Sequence, residues 1–127
     1  MMNRPVKVPS DDHPITIEPN PFRVTVTLDG DVLADSRNAL TLKEAQYPPV
    51  QYIPRGDVDM SKLTRSEHTT YCAFKGDCSY YNLPGDGEHA ANAVWTYETP
   101  YPAVAAIEGH VAFYPDRVTI SQELTEA

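Results

Sequence analysis

The sequence predicts a mainly β fold: two antiparallel sheets forming a sandwich or partly open barrel, with one or two short helical turns. Three observations carry that expectation. Short segments alternate apolar and polar residues with a period of two; turn dipeptides recur between them; and hardly any stretch shows the 3.6-residue period of a helix. At 127 residues the chain fits one domain with a core of its own.

Residues 1–21 contain Pro5, Pro9, Pro14, Pro19 and Pro21, a density that favours an extended arm lying along the surface or fraying. The β domain is expected over residues 22–121, followed by a tail at 122–127. Its first strand is FRVTVTL, with Phe22, Val24, Val26 and Leu28 on one face and Arg23, Thr25 and Thr27 on the other. Asp29 and Gly30 accept the positive φ of a tight turn, and DVLAD returns. In the next stretch Pro48, Pro49 and Pro54 confine strand structure to a short segment around Val50 to Ile53, and GDVDMSKL suits one helical turn. Strands follow at 69–74, 78–83 and 93–97, the last two separated by PGDGEHAAN. The alanines of TPYPAVAAIEG suit a short helix stopped by Gly109, and HVAFYPDRVTI reads as a closing hairpin turned at Pro115 and Asp116.

A net charge of −8 repels phosphate backbones and anionic lipid alike, and no basic patch opposes it, so neither nucleic acid nor membrane is an expected partner. No apolar run approaches membrane-spanning length and no signal segment opens the chain, which favours the cytoplasm. Five residues intervene between Cys72 and Cys78 and there is no second pair, the wrong spacing for a zinc knuckle, so reduced thiols and no bound metal or cofactor are expected.

The stretch TTYCAFKGDCSYYNL concentrates the chemistry. A three-residue loop at Lys75, Gly76 and Asp77 would pair Phe74 with Cys78 and Cys72 with Tyr80, all on one face. Cys72 becomes a nucleophile only if a base and a positive neighbour approach it, and Lys75, His68, His89 and His110 are the candidates; the plainer role is a small buried hydrophobe. In ALTLKE the alternation Leu40, Leu42, Glu44 points a carboxylate to the face that carries the leucines, which needs a donor there unless the strand ends first. His110 opens a strand beside the flexible Gly109 and suits either a ligand contact or a structural hydrogen bond. Tyrosines and Trp95 are the broader signal, since flat faces with polar tips line pockets as readily as they fill cores; Trp95 and Tyr97 project to one side. Asp57 and Asp59 in GDVD lack the third carboxylate and the phosphate loop of nucleotidyl transfer, so they read as a turn.

The segments HPITIEPNPFRVTV, ADSRNAL, YPPVQYIPRGDVDM, TTYCAFKGDCSYY, AVWTYETPYP and GHVAFYPDRV, in this order over nearly the whole chain, resemble the bacterial and fungal family called domain of unknown function 427. The resemblance implies a β-tent, two antiparallel sheets pinned at one edge, similar in shape to the ligand-binding domain of cereblon and to methionine sulfoxide reductase B. It implies family motif positions at Glu44, Pro49, Tyr52, Asp57, Thr70, Cys72, Lys75, Gly76, Tyr80, Trp95, Tyr97, Gly109, His110, Tyr114 and Asp116, and no activity. The two cysteine pairs that hold zinc in related β-tents have no counterpart, and a nucleotidyltransferase label sometimes given to the family finds no support in these residues.

The resulting expectation is a small-molecule-binding domain whose cleft between the two sheets is lined by Tyr52, Tyr80, Trp95 and Tyr97, with Glu44, Lys75 and His110 as polar contacts. One alternative is a cofactor-independent enzyme with Cys72 as nucleophile or redox thiol, His110 as base and Lys75 favouring the thiolate. Another is a protein-interaction module presenting a sheet edge and the proline-rich arm; the same edge would serve a homodimer.

Overall fold

The alternating segments become strands in a computed structural model that describes residues 4–124. They are β1 (Ile15–Pro19), β2 (Phe22–Leu28), β3 (Asp31–Ser36), β4 (Leu40–Glu44), β5 (Val50–Pro54), β6 (Thr64–Cys72), β7 (Gly76–Asn82), β8 (Val94–Thr96), β9 (His110–Phe113) and β10 (Thr119–Leu124). Helical structure among the described residues is confined to 3-10 turns at Arg55–Asp57, Met60–Lys62 and Pro102–Ile107. A seven-stranded sheet runs β1-β4-β5-β9-β8-β7-β6 and a three-stranded sheet runs β10-β2-β3, all pairs antiparallel and neither sheet closed into a barrel. No described helix is long and apolar enough to cross a membrane.

Side-chain alternation sorts the apolar residues into two cores on the two faces of the larger sheet. Val24 and Val26 of β2 and Leu33 and Ala34 of β3 pack against Ile53, Val94, Val111 and Phe113, filling the space between the sheets. Their immediate neighbours in sequence, Tyr52, Trp95 and Ala112, belong to the second core with Leu42, Cys78 and Tyr80, which Val104 and Ile107 of the last 3-10 turn join. The sheets are pinned by Asn20, whose side-chain amide donates to Gln51 Oε1 on β5 (2.8 Å) and to Gln122 Oε1 on β10 (2.9 Å) while its Oδ1 accepts from the Phe22 N–H.

Several expectations are corrected. Within the amino-terminal segment, expected as an extended arm lying along the surface or fraying, Ile15–Pro19 is an edge strand along β4, flanked by prolines that an edge tolerates. Ahead of it, the Arg4 guanidinium pairs with Asp77 (2.7 Å) and lies over the Tyr71 ring, the Lys7 N–H donates to Ala73 O (2.9 Å), and His13 stacks on Phe74 (4.0 Å). This segment therefore straps the β6–β7 turn. The closing hairpin does not form, because β9 and β10 lie in different sheets; alternation fixes which face a strand buries but not which neighbour it takes. β10 also carries the domain past residue 121, while residues 125–127 of the expected tail lie outside the described residues. In the β6–β7 hairpin Cys72 pairs with Gly76 and Thr70 with Cys78, so the loop is Ala73, Phe74 and Lys75. Gly76 sits at φ +109°, a conformation that side chains resist, which is why the turn ends on a glycine.

Candidate functional site

Across the second core, register sets a row of large side chains. Leu40 of β4 pairs with Tyr52 of β5, and Trp95 of β8 pairs with both Ala112 of β9 and Tyr80 of β7. Ala112 leaves room above β9, and over it the Trp95 indole N–H donates to Tyr52 Oη (3.1 Å), the rings perpendicular at 6.3 Å. Tyr114 leans on Trp95 at 4.6 Å, and Tyr80 Oη shares a 2.9 Å hydrogen bond with Thr70 Oγ1.

These side chains wall a cleft of about 210 Å³. Tyr52, Tyr80, Trp95 and Tyr97 line it together with Leu42 and Val50, and Tyr47, Pro48 and Tyr114 add to its walls. Glu44 and Lys75 line it too. Its position differs from expectation: it opens on the face of the seven-stranded sheet that carries the second core, not between the two sheets. The reason is the pleat. Val94 and Thr96 face the opposite way from Trp95, and it is Val94, with Ile53 and Val111, that packs toward the smaller sheet.

The charged end of the cleft is built by the hairpin turn and the end of β4. Lys75 is held by its backbone, its N–H donating to Cys72 O (3.2 Å) and its carbonyl accepting from the Tyr101 N–H (3.0 Å). Its ammonium, in a residue only 8 % exposed, donates to Glu44 Oε1, and the other carboxylate oxygen meets His13 Nε2 at 2.8 Å. Burial pushes the Glu44 carboxyl up, but the hydrogen bonds and charges of Lys75 and His13 outweigh it, and the net direction is down from the ordinary 4.5. A lowered carboxylate pKa contributes stability that is intact above the unfolded value and lost as pH falls through the folded one. Urea midpoints taken between about pH 6 and pH 3 should therefore fall more steeply for the wild type than for Glu44→Gln. Equal slopes would remove Glu44 from the acid response.

The phenols are set as neutral groups. Burial pushes the Tyr80 hydroxyl up to about 12 and raises those of Tyr52 and Tyr97 further, so each stays protonated at neutral pH. Both thiols are free: Cys78 is buried, which pushes its thiol up, while Cys72 is partly exposed with its Sγ 3.9 Å from Lys75 Nζ. Among the described residues no group of three or more His, Cys, Asp and Glu side chains is placed to hold a metal ion. Asp57 accepts from Ser36 Oγ at the end of β3 (2.6 Å), a contact across 21 positions, and Asp59 accepts from Ser61 Oγ within its own turn (2.5 Å).

His110 does not join this site. Its ring Nδ1 lies 2.9 Å from Glu108 O in its own turn, and it is absent from the cleft walls. The histidine that does reach the site is His13, which sequence reasoning missed; its contact with Glu44 spans 31 positions and leaves no local pattern. Tyr47 and Tyr114 stood among the aromatic residues but only their placement reveals them as cleft walls.

A family model described as a domain of unknown function, DUF427, matches residues 16–123, from within β1 to within β10 and so across both sheets and the cleft. No curated protein matches the chain.

Proposed function

Because the chain belongs to the domain of unknown function 427 family, whose description names no activity, we propose from the geometry that it binds a small uncharged molecule in the aromatic cleft. The observation that carries this reading is the meeting, in one concavity, of a buried ion pair, flat aromatic walls and neutral phenols. Lys75 supplies N–H donors and Glu44 an acceptor, and because their charges cancel the site favours a ligand with both a donor and an acceptor and no net charge. Trp95 and Tyr80 offer ring faces against which a planar group stacks. A scaffold gains little from a buried ion pair that apolar residues would replace, which favours a role for it at the ligand.

A thermal-shift screen of small uncharged amides and heterocycles tests this. A ligand at a hundredfold its Kd should add about 2.7 kcal/mol of stability. Trp95→Phe, which keeps a ring but loses the N–H bonded to Tyr52, should reduce the shift, and Trp95→Ala should abolish it. A screen in which nothing stabilises the wild type, or in which the variants respond equally, rejects the reading.

One contact favours a second reading, in which Cys72 is a reactive thiol beside the Lys75 ammonium. His110, bonded within its own turn, does not supply the base expected for it; Glu44, through Lys75, is the nearer group. Iodoacetamide at pH 7 should then label Cys72 faster in the folded protein than in the urea-unfolded chain. Labelling no faster than in the unfolded chain eliminates a Cys72 mechanism.

A further inference from the structure

Beside the cleft lies a second and larger concavity of about 870 Å³, and the two share Tyr47, Pro48, Val50, Trp95 and Tyr114 as a common wall. Beyond that wall the groove is formed largely by Pro19, Pro21, Phe22, Pro49, Phe113 and Ile120. We propose that the ligand is amphipathic: an uncharged amide whose head sits at Lys75 and Glu44 and whose hydrocarbon tail crosses Trp95 and Tyr114 into this groove. The proposal rests on the binding reading above and names its ligand class.

Three observations converge on it. The first is size, because about 210 Å³ accommodates a head group, whereas pockets that enclose whole small ligands run to roughly 300–1,000 Å³. The second is exposure. Tyr47 is 66 % and Tyr114 38 % exposed, and these large aromatics stand together at the shared wall, where an apolar chain would cover them. The third is the state of the polar groups that the groove does contain. Glu18 and Lys43 at its rim are exposed and keep their charges in water, while Asn20 donates to Gln51 and Gln122 and the Thr41 hydroxyl donates to Gln51 Oε1 (3.0 Å), so the glutamine carbonyls already have donors when an apolar tail covers them. At the other end the Lys75–Glu44 pair matches an amide, whose carbonyl accepts and whose N–H donates.

The experiment is a titration of the full chain with linear primary carboxamides from propionamide to octanamide. It is followed by the fluorescence of Trp95, the sole tryptophan, and by NMR shifts of the Lys75 and Glu44 side chains. Each added methylene should lower Kd roughly fourfold until the groove is filled. Pro49→Asp, at an exposed groove residue outside the cleft, should weaken octanamide at least fivefold and leave propionamide unchanged. If short amides shift the Lys75 and Glu44 signals but affinity does not rise with chain length, or rises equally in Pro49→Asp, the tail assignment is overturned while cleft binding stands. If no amide binds but another uncharged compound occupies the cleft, the ligand class is overturned. If nothing binds, both readings fall.

Discussion

Replacing Lys75 with methionine is expected to destabilise the protein by about 2–4 kcal/mol, because it leaves the Glu44 carboxylate half-paired in a largely buried position. The side chains of Lys75 and Glu44 are 10 % and 14 % exposed, so neither charge can turn outward to recover its hydration. His13, 28 % exposed, remains bonded to Glu44 and limits the loss. Glu44→Leu should cost a similar amount by orphaning the ammonium. The double variant should cost clearly less than the sum, since removing both charges removes both desolvation penalties. Urea unfolding of the four proteins at pH 7 measures the cycle. Single losses below about 1 kcal/mol would mean that the pair behaves as a solvated surface bridge, and the charged end of the cleft would then be open solvent rather than a binding wall.

That pair also shows what a sequence yields and what it withholds. Period-two alternation placed Glu44 on the face of Leu40 and Leu42, and the structure keeps it there, with Leu42 buried beside it in the second core. Alternation likewise put Trp95 and Tyr97 on one side of their strand, and the aromatic set with the fold resemblance suggested a cleft lined by them and by Tyr52 and Tyr80. Neither says which layer such a face meets, and the cleft expected between the sheets lies on the other side of the larger one. In the hairpin the register slipped: Cys72 was expected opposite Tyr80 and stands opposite Gly76. The slip is an even number of residues, so parity held and Cys72, Cys78 and Tyr80 still contribute to one core. Farther from the turn the ladder is irregular between Arg65 and Thr69, and the His68 ring comes to 4.7 Å from Tyr80, a contact no residue count foretells. The contact of His13 and the pairing of β10 were missed for one reason. Each takes a partner far along the chain, and a local pattern carries no information about such a choice.

Asn20→Leu is expected to cost about 1.5–3 kcal/mol, and its effect should extend to the groove as well as to stability. Asn20 is 6 % exposed, and its amide is the hydrogen-bonded link between β5 of the larger sheet and β10 of the smaller. Leucine matches its size but strands the Phe22 N–H, which donates to Oδ1, and removes both bonds to the glutamines. Gln51 retains the Thr41 hydroxyl and the exposed Gln122 turns to water, so most of the loss falls at Phe22 and in the freedom gained between sheets. Asn20→Asp keeps the acceptor for Phe22 and should be milder, since Gln122 can rotate its NH₂ toward the carboxylate. Denaturant midpoints rank the three proteins. The groove supplies the second readout: Asn20, Gln51 and Gln122 all line it, and with the pin removed octanamide should lose affinity while propionamide, confined to the cleft, does not. A uniform loss for both amides would place the effect of Asn20 on the whole fold. A loss confined to the long one would make this buried amide the element that holds the two sheets at the separation the tail requires.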